Sequence, residues 1–142
     1  MATVAKWFYP VLILALLWNL MGLFVFWTDL NMTPEQIAAM PAAMQEVYQS
    51  RPLWSVLATA AAVIGGTLGT VLLLLRLPLA MPLLVVSLLG VVLQDVSFAL
   101  DPAARALIDL TVIILQGLVL LIAVGLWYLA RVAGQRGWLK TG

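Results

Sequence analysis

The sequence predicts an all-α membrane protein: a four-transmembrane-helix up-down bundle with a short amphipathic outer-surface helix between spans one and two. Three observations predict it. Hydrophobic residues make up 65% of the 142 residues and charged residues only 9%, whereas a soluble domain carries about a quarter charged residues. The apolar residues gather into four runs, each long enough to cross ~30 Å of hydrocarbon at ~1.5 Å rise per residue. Basic and aromatic residues band at the ends of those runs. The mean hydropathy of +1.13 leaves too little polar surface to coat a water-soluble globule. Residues 1–142 therefore read as a single four-helix transmembrane domain.

Span one covers residues 7–28. Lipid offers backbone N–H and C=O groups no partner, so a spanning segment must satisfy them internally as a helix. The run exceeds the apolar core of a signal peptide, and "TDLN" after it lacks a small-residue cleavage pattern, so it is read as a retained signal anchor. Next comes "NMTPEQIAAMPAAMQEVYQSRP", residues 31–52. Thr33-Pro34-Glu35-Gln36 is a capping box with proline at the first helical position. Ile37, Met40, Met44, Val47 and Tyr48 recur at helical spacing opposite Glu35, Gln45, Glu46 and Gln49. This predicts an amphipathic helix over 34–49, interrupted or kinked near Pro41. It covers the bundle mouth, or it serves as a lid or docking surface.

Span two covers 53–75, and "RLPLAMP" after it is a short turn with Pro78 and Pro82 discouraging a continuous helix. Span three covers 81–100. In "LDPAAR", Asp101 reads as an N-cap and Pro102 as the first helical residue of span four, which covers 106–130. Both hairpins are short, so neighbouring spans should pack antiparallel.

Orientation follows from the basic residues. Lys6, Arg76, Arg131, Arg136 and Lys140 fall on one side without an acidic neighbour, while Asp29, Glu35, Glu46 and Asp101 fall on the other with Arg51 and Arg105. By the positive-inside rule both termini face the cytoplasm. The expected location is the bacterial inner (plasma) membrane, as a multi-pass protein with the lipid bilayer as its first partner. The basic groups of the cytoplasmic face would meet anionic headgroups.

Histidine and cysteine are absent. Thiolate nucleophiles, disulfides and the usual zinc, haem and iron–sulfur ligands go with them. No nucleophile–base pair and no metal-ligand cluster is visible, so the expectation is a protein that is not an enzyme and uses no cofactor or metal. A net charge of +1 without a basic patch excludes nucleic acid as a partner.

Each span carries a polar or small stripe at helical spacing: Ala15, Asn19, Gly22 and Phe26; Thr59, Ala62, Gly66 and Thr70; Ser87, Val91, Gln94, Asp95 and Phe98; Asp109, Ile113, Gln116 and Leu120. The four stripes are expected to meet inside the bundle, away from lipid. The candidate ligand-binding residues are Asn19, Gln94, Asp95 and Gln116, in a pocket open toward the outside and sealed within by leucines. An ionised Asp95 in hydrocarbon is costly unless paired or wetted, which makes it a ligand anchor, a proton-coupling group or an interfacial carboxylate. Asp109, one turn after Arg105 and two after Asp101, reads as part of an interfacial charge ladder. The amides serve as ligands or as interhelical bonds, and Trp18 stacks on a flat ligand or packs in the bundle. In "AAVIGGTLG", Ala61, Gly65, Gly66 and Gly69 permit close backbone approach, as a helix-packing face within the bundle or a partner face between proteins.

The stretches "KWFYPVLILALLWNLMG", "WTDLNMTPEQIAAMP", "YQSRPLW", "GGTLG", "LPLAMPLLVVSLLGVVLQ" and "RGWL" together resemble a small family of bacterial four-span membrane proteins. Its members often carry the label "sugar transporter". The resemblance runs nearly end to end and implies the four-span fold, and it assigns no site residue. The functional expectation is an accessory or assembly subunit of a larger membrane complex, held to a membrane-protein partner or a second copy of the chain. The alternative is a protein that binds or carries a small sugar-like solute or a lipid in an outward-facing polar pocket.

Overall fold

The structure is a computed structural model and describes residues 2–141. Among these residues all regular structure is helical: α1 Phe8–Leu30, α2 Pro34–Ala38, α3 Ala42–Ser50, α4 Leu53–Leu74, α5 Ala80–Leu100, α6 Pro102–Ala106 and α7 Leu110–Gln135. Four of them, α1, α4, α5 and α7, are long and apolar enough to cross a membrane.

The segment between α1 and α4 is two short helices. Thr33 caps α2 reciprocally: its hydroxyl accepts from Gln36 N at 3.2 Å and Gln36 Oε1 accepts from Thr33 N at 2.9 Å. The helix then stops before Pro41, which supplies no N–H to continue it. Gln45 repairs the break, its amide donating to Met40 O at 2.8 Å and Ala38 O at 3.1 Å.

A second break corrects the reading of the fourth span. Asp101 does cap a helix, accepting from Ala103 N at 2.9 Å with Pro102 in the first turn, but that helix ends at Ala106. α7 begins only at Leu110, where Asp109 Oδ1 accepts from Val112 N at 2.9 Å. Asp109 is thus an exposed N-cap and takes no part in a ladder with Arg105. The competing bond from side chain to backbone ends the helical turn that a ladder requires. The expected stripe on this span fails at its start for the same reason: Asp109 and Ile113 are exposed, and only Gln116 and Leu120 are half-buried.

The long helices pack in the order α1, α4, α5, α7, with the α4–α5 pairing the most extensive. Small residues set that closeness. A β-carbon on Gly65 would stand 3.1 Å from Leu83 O and 3.2 Å from Ser87 N. One on Gly90 would stand 2.6 Å from Ala58 O and 2.7 Å from Ala62 N, and one on Gly69 would meet the Leu84 side chain at 2.7 Å. Gly65, Gly66 and Gly69 are buried and Ala61 is half-buried, so the glycine face is occupied within the chain. Ser87 adds a bond across the pair, donating to Ala62 O at 2.7 Å.

Where α1 begins and α7 finishes, Phe8, Leu12, Leu73, Leu84, Leu126, Leu129, Ala130, Ala133 and Trp138 form one buried core. Trp138 stacks edge-on to Phe8 at 5.3 Å and to Trp7 at 6.0 Å. Arg76, at a left-handed φ of 63°, donates from Nε to Trp138 O at 2.5 Å and accepts from Lys140 N at 2.7 Å. The turn after α4 thereby fastens the chain beyond α7.

Candidate functional site

Above that core α1 and α7 stand apart over a floor of α4 and α5, leaving a cavity of about 430 Å³. It runs from Leu84 and Leu126, at the sealed end, to Asp29 at the opposite end. Its walls are largely aliphatic, from Met21, Val25, Val63, Val91, Leu115, Val119 and Ile122. Polar groups enter from Asn19, Gln94, Thr59 and Ser87, and Trp18 lines it from α1.

Two of these side chains have hydrogen-bonding capacity to spare. Asn19 Nδ2 donates back to Ala15 O at 2.8 Å, which fixes the amide against its own helix. Its Oδ1 lies over Gly66, which has no β-carbon to displace it, beside the Ser87 hydroxyl. Gln94 lines the same cavity from α5, half-buried, one turn beyond the buried Val91. Thr59 instead spends its hydroxyl on Ser55 O at 3.1 Å. The site is therefore a largely apolar cavity with one amide from α1 and one from α5.

Asp95 and Gln116 lie elsewhere. They line a second, smaller cavity of about 150 Å³ between α5 and α7. Adjacent helical residues point about 100° apart, and here that turn puts Gln94 on the larger cavity and Asp95 on the smaller one. The structure brings Asn19 together with Gln94, and Asp95 together with Gln116.

A polar cluster gathers on Asp29, at the far end of the larger cavity, and no local periodicity marks it. Asp29, at the end of α1, accepts from Arg51 Nη1 at 2.7 Å and from the Tyr48 hydroxyl. The Arg51 guanidinium also sits 5.0 Å over the Tyr48 ring. On the other side Ser50 donates to Asp101 at 3.0 Å. The end of α3 therefore bridges α1 to the α5–α6 corner. Burial, and then the bond to Asp29 and its charge, push the Tyr48 phenol up to about 12, with Arg51 opposing. Among the described residues no cluster of acidic groups could hold a metal ion.

No protein-family model, curated protein or solved structure matches this chain.

Proposed function

We propose that the protein is a four-span bacterial inner-membrane protein that holds one amphipathic, lipid-like molecule in the cavity between α1 and α7. In this reading the helices form an up-down bundle with both termini in the cytoplasm, and α2 and α3 lie as an amphipathic cover on the outer surface. The observation that carries it is the pairing of an aliphatic cavity of about 430 Å³ with two amides, Asn19 and Gln94. Ligand sites are commonly cavities of ~300–1,000 Å³ with mostly apolar walls and a few placed polar groups. An acyl chain would take the wall of Val25, Val63, Leu115 and Ile122, and a hydroxyl, ester or amide the two side-chain amides. A free sugar would leave most of that wall without a partner, which favours the lipid form of the ligand over the sugar-like one. The glycine face that would support an accessory subunit is already occupied within the chain.

The test fills the cavity. Gly22 lines it, and a β-carbon there meets only Val63 Cγ1 at an ordinary 3.7 Å. Gly22→Phe would project a ring into the space. Native mass spectrometry of the protein released from vesicles containing brominated phosphatidylethanolamine should show one retained brominated lipid per wild-type chain. Gly22→Phe should lose it, and Asn19→Ala with Gln94→Ala should weaken it. Equal retention by all three would defeat the proposal.

A further inference from the structure

Asp95 and Gln116 stand at matched depth on facing helices. Asp95 is five residues before the end of α5 at Leu100, and Gln116 six residues after the start of α7 at Leu110. These are ~7.5 and ~9 Å along the two axes. α5 and α7 pack together, and the small cavity of about 150 Å³ lies between them, walled otherwise by Phe98, Ala99, Ile108, Val112 and Ile113. Asp95 Oδ1 and Gln116 Oε1 are both buried, and neither has a hydrogen-bond partner.

Among the described residues no other side chain pairs with these two oxygens. α4 carries no charged residue, and Asp95 is the only one on α5. On α6, Arg105 is exposed and forms no ion pair with Asp95. At the near end of α7, Asp109 is engaged in capping Val112 N, and Arg131 lies about four turns beyond Gln116. Two buried acceptor atoms, one of them on a carboxylate, thus line an apolar space in which the Gln116 amide carries the nearest N–H groups and makes no hydrogen bond to Asp95 Oδ1. Buried polar groups are satisfied in the great majority of cases, so such a pair calls for a donor from outside.

We propose that this cavity binds a small amphipathic ammonium ion, with its N–H groups on Asp95 and Gln116 and its hydrocarbon part against Phe98 and Val112. The charge of the ligand offsets that of the carboxylate, and ~150 Å³ is the size of an apolar cavity that accepts a benzene ring. The site is separate from the larger cavity and does not depend on what that cavity holds.

Benzylamine is the probe, titrated by calorimetry into the full chain in lipid nanodiscs, with benzyl alcohol as the uncharged analogue of the same shape. Wild type should bind benzylamine saturably at one site. Asp95→Asn, nearly isosteric, should weaken it about ten-fold or more, and Gln116→Leu several-fold. Benzyl alcohol should bind weakly and change little with Asp95→Asn. Benzylamine uptake that does not saturate, or that survives Asp95→Asn undiminished, would overturn the proposal. So would an equal loss of amine and alcohol in Asp95→Asn, since that marks a collapsed cavity and not a charge site. A variant in which Gln116→Leu binds as well as wild type would remove the second acceptor from the site and overturn the paired arrangement.

Discussion

The Asn19 amide oxygen lies directly over Gly66, in the space that a β-carbon would fill. The Ser87 hydroxyl stands 3.0 Å from the same point. Gly66 thus lets α1 and α5 bring polar groups together across α4. Gly66→Ala should destabilise the protein by about 1–3 kcal/mol through overpacking. Much of that loss should vanish in an Asn19→Ala background, because the nearest obstruction is a side chain. Gly90→Ala should behave differently. Its new methyl would meet the α4 backbone at Ala58 O and Ala62 N, so no side-chain truncation relieves it. Gly117→Ala and Gly125→Ala, with nothing within 4 Å, should be neutral or slightly stabilising. Thermal unfolding in detergent, with a double-mutant cycle for Gly66 and Asn19, measures all four.

The cap on α7 gives a smaller and more local effect. Asp109 accepts from Val112 N, so Asp109→Ala should cost about 0.5–2 kcal/mol while Asp109→Asn retains most of the stability. A ladder with Arg105 would predict the opposite ranking for charge, with Asn as damaging as Ala. Unfolding midpoints of the two variants, and of Arg105→Ala, decide between them.

These two sites mark what local sequence can and cannot convey. The four long helices were legible because an apolar run near the bilayer thickness has few other outcomes, and the Thr33 capping box because its partners are three residues apart. The break at 107–109 was not, since Asp101, Arg105 and Asp109 keep a four-residue spacing that fits a continuous helix equally well. Asp29, Tyr48 and Arg51 meet across about twenty residues, and Arg76 meets Trp138 across about sixty, so neither contact leaves a periodic trace. The division of Gln94 from Asp95 was legible in principle. Helical neighbours point about 100° apart, so one can face α1 and α4 while the next faces α7.

The Tyr48 cluster carries a pH dependence. Its phenol rises from 10.0 to about 12, with burial as the first cause and the hydrogen bond to Asp29 the second. The folded state therefore holds this proton more tightly than the unfolded chain does. The resulting stability is complete below pH ~10 and is lost as the pH climbs through about 12. An ultraviolet titration of phenolate formation, taken as the difference between wild type and Tyr48→Phe, should place this group near 12. Asp29→Asn should bring it part of the way back toward 10.0, since burial remains. A Tyr48 that titrates at its ordinary value in the folded protein would break the proposed bridge from α1 to α3.

Trp138 is the strongest single test of how the ends of the chain are held. It is 4% exposed, lies edge-on to Phe8 and Trp7, and its carbonyl accepts from Arg76. Removing a buried tryptophan leaves a cavity, so Trp138→Ala should cost about 3–5 kcal/mol. Trp138→Phe keeps an aromatic edge against Phe8 and leaves the carbonyl in place, so it should cost clearly less. Arg76→Ala removes the guanidinium donor, and its left-handed φ strains alanine as it does arginine. Arg76→Gly removes the same donor and relaxes the backbone, so it should be the milder of the two. Proteolysis after residue 136 gives an independent reading. Cleavage there should be slow in wild type and fast in Trp138→Ala, because the tail is held by that ring and by the Lys140 N bond to Arg76 O. Equal cleavage rates would mean that the tail is not fastened by these contacts.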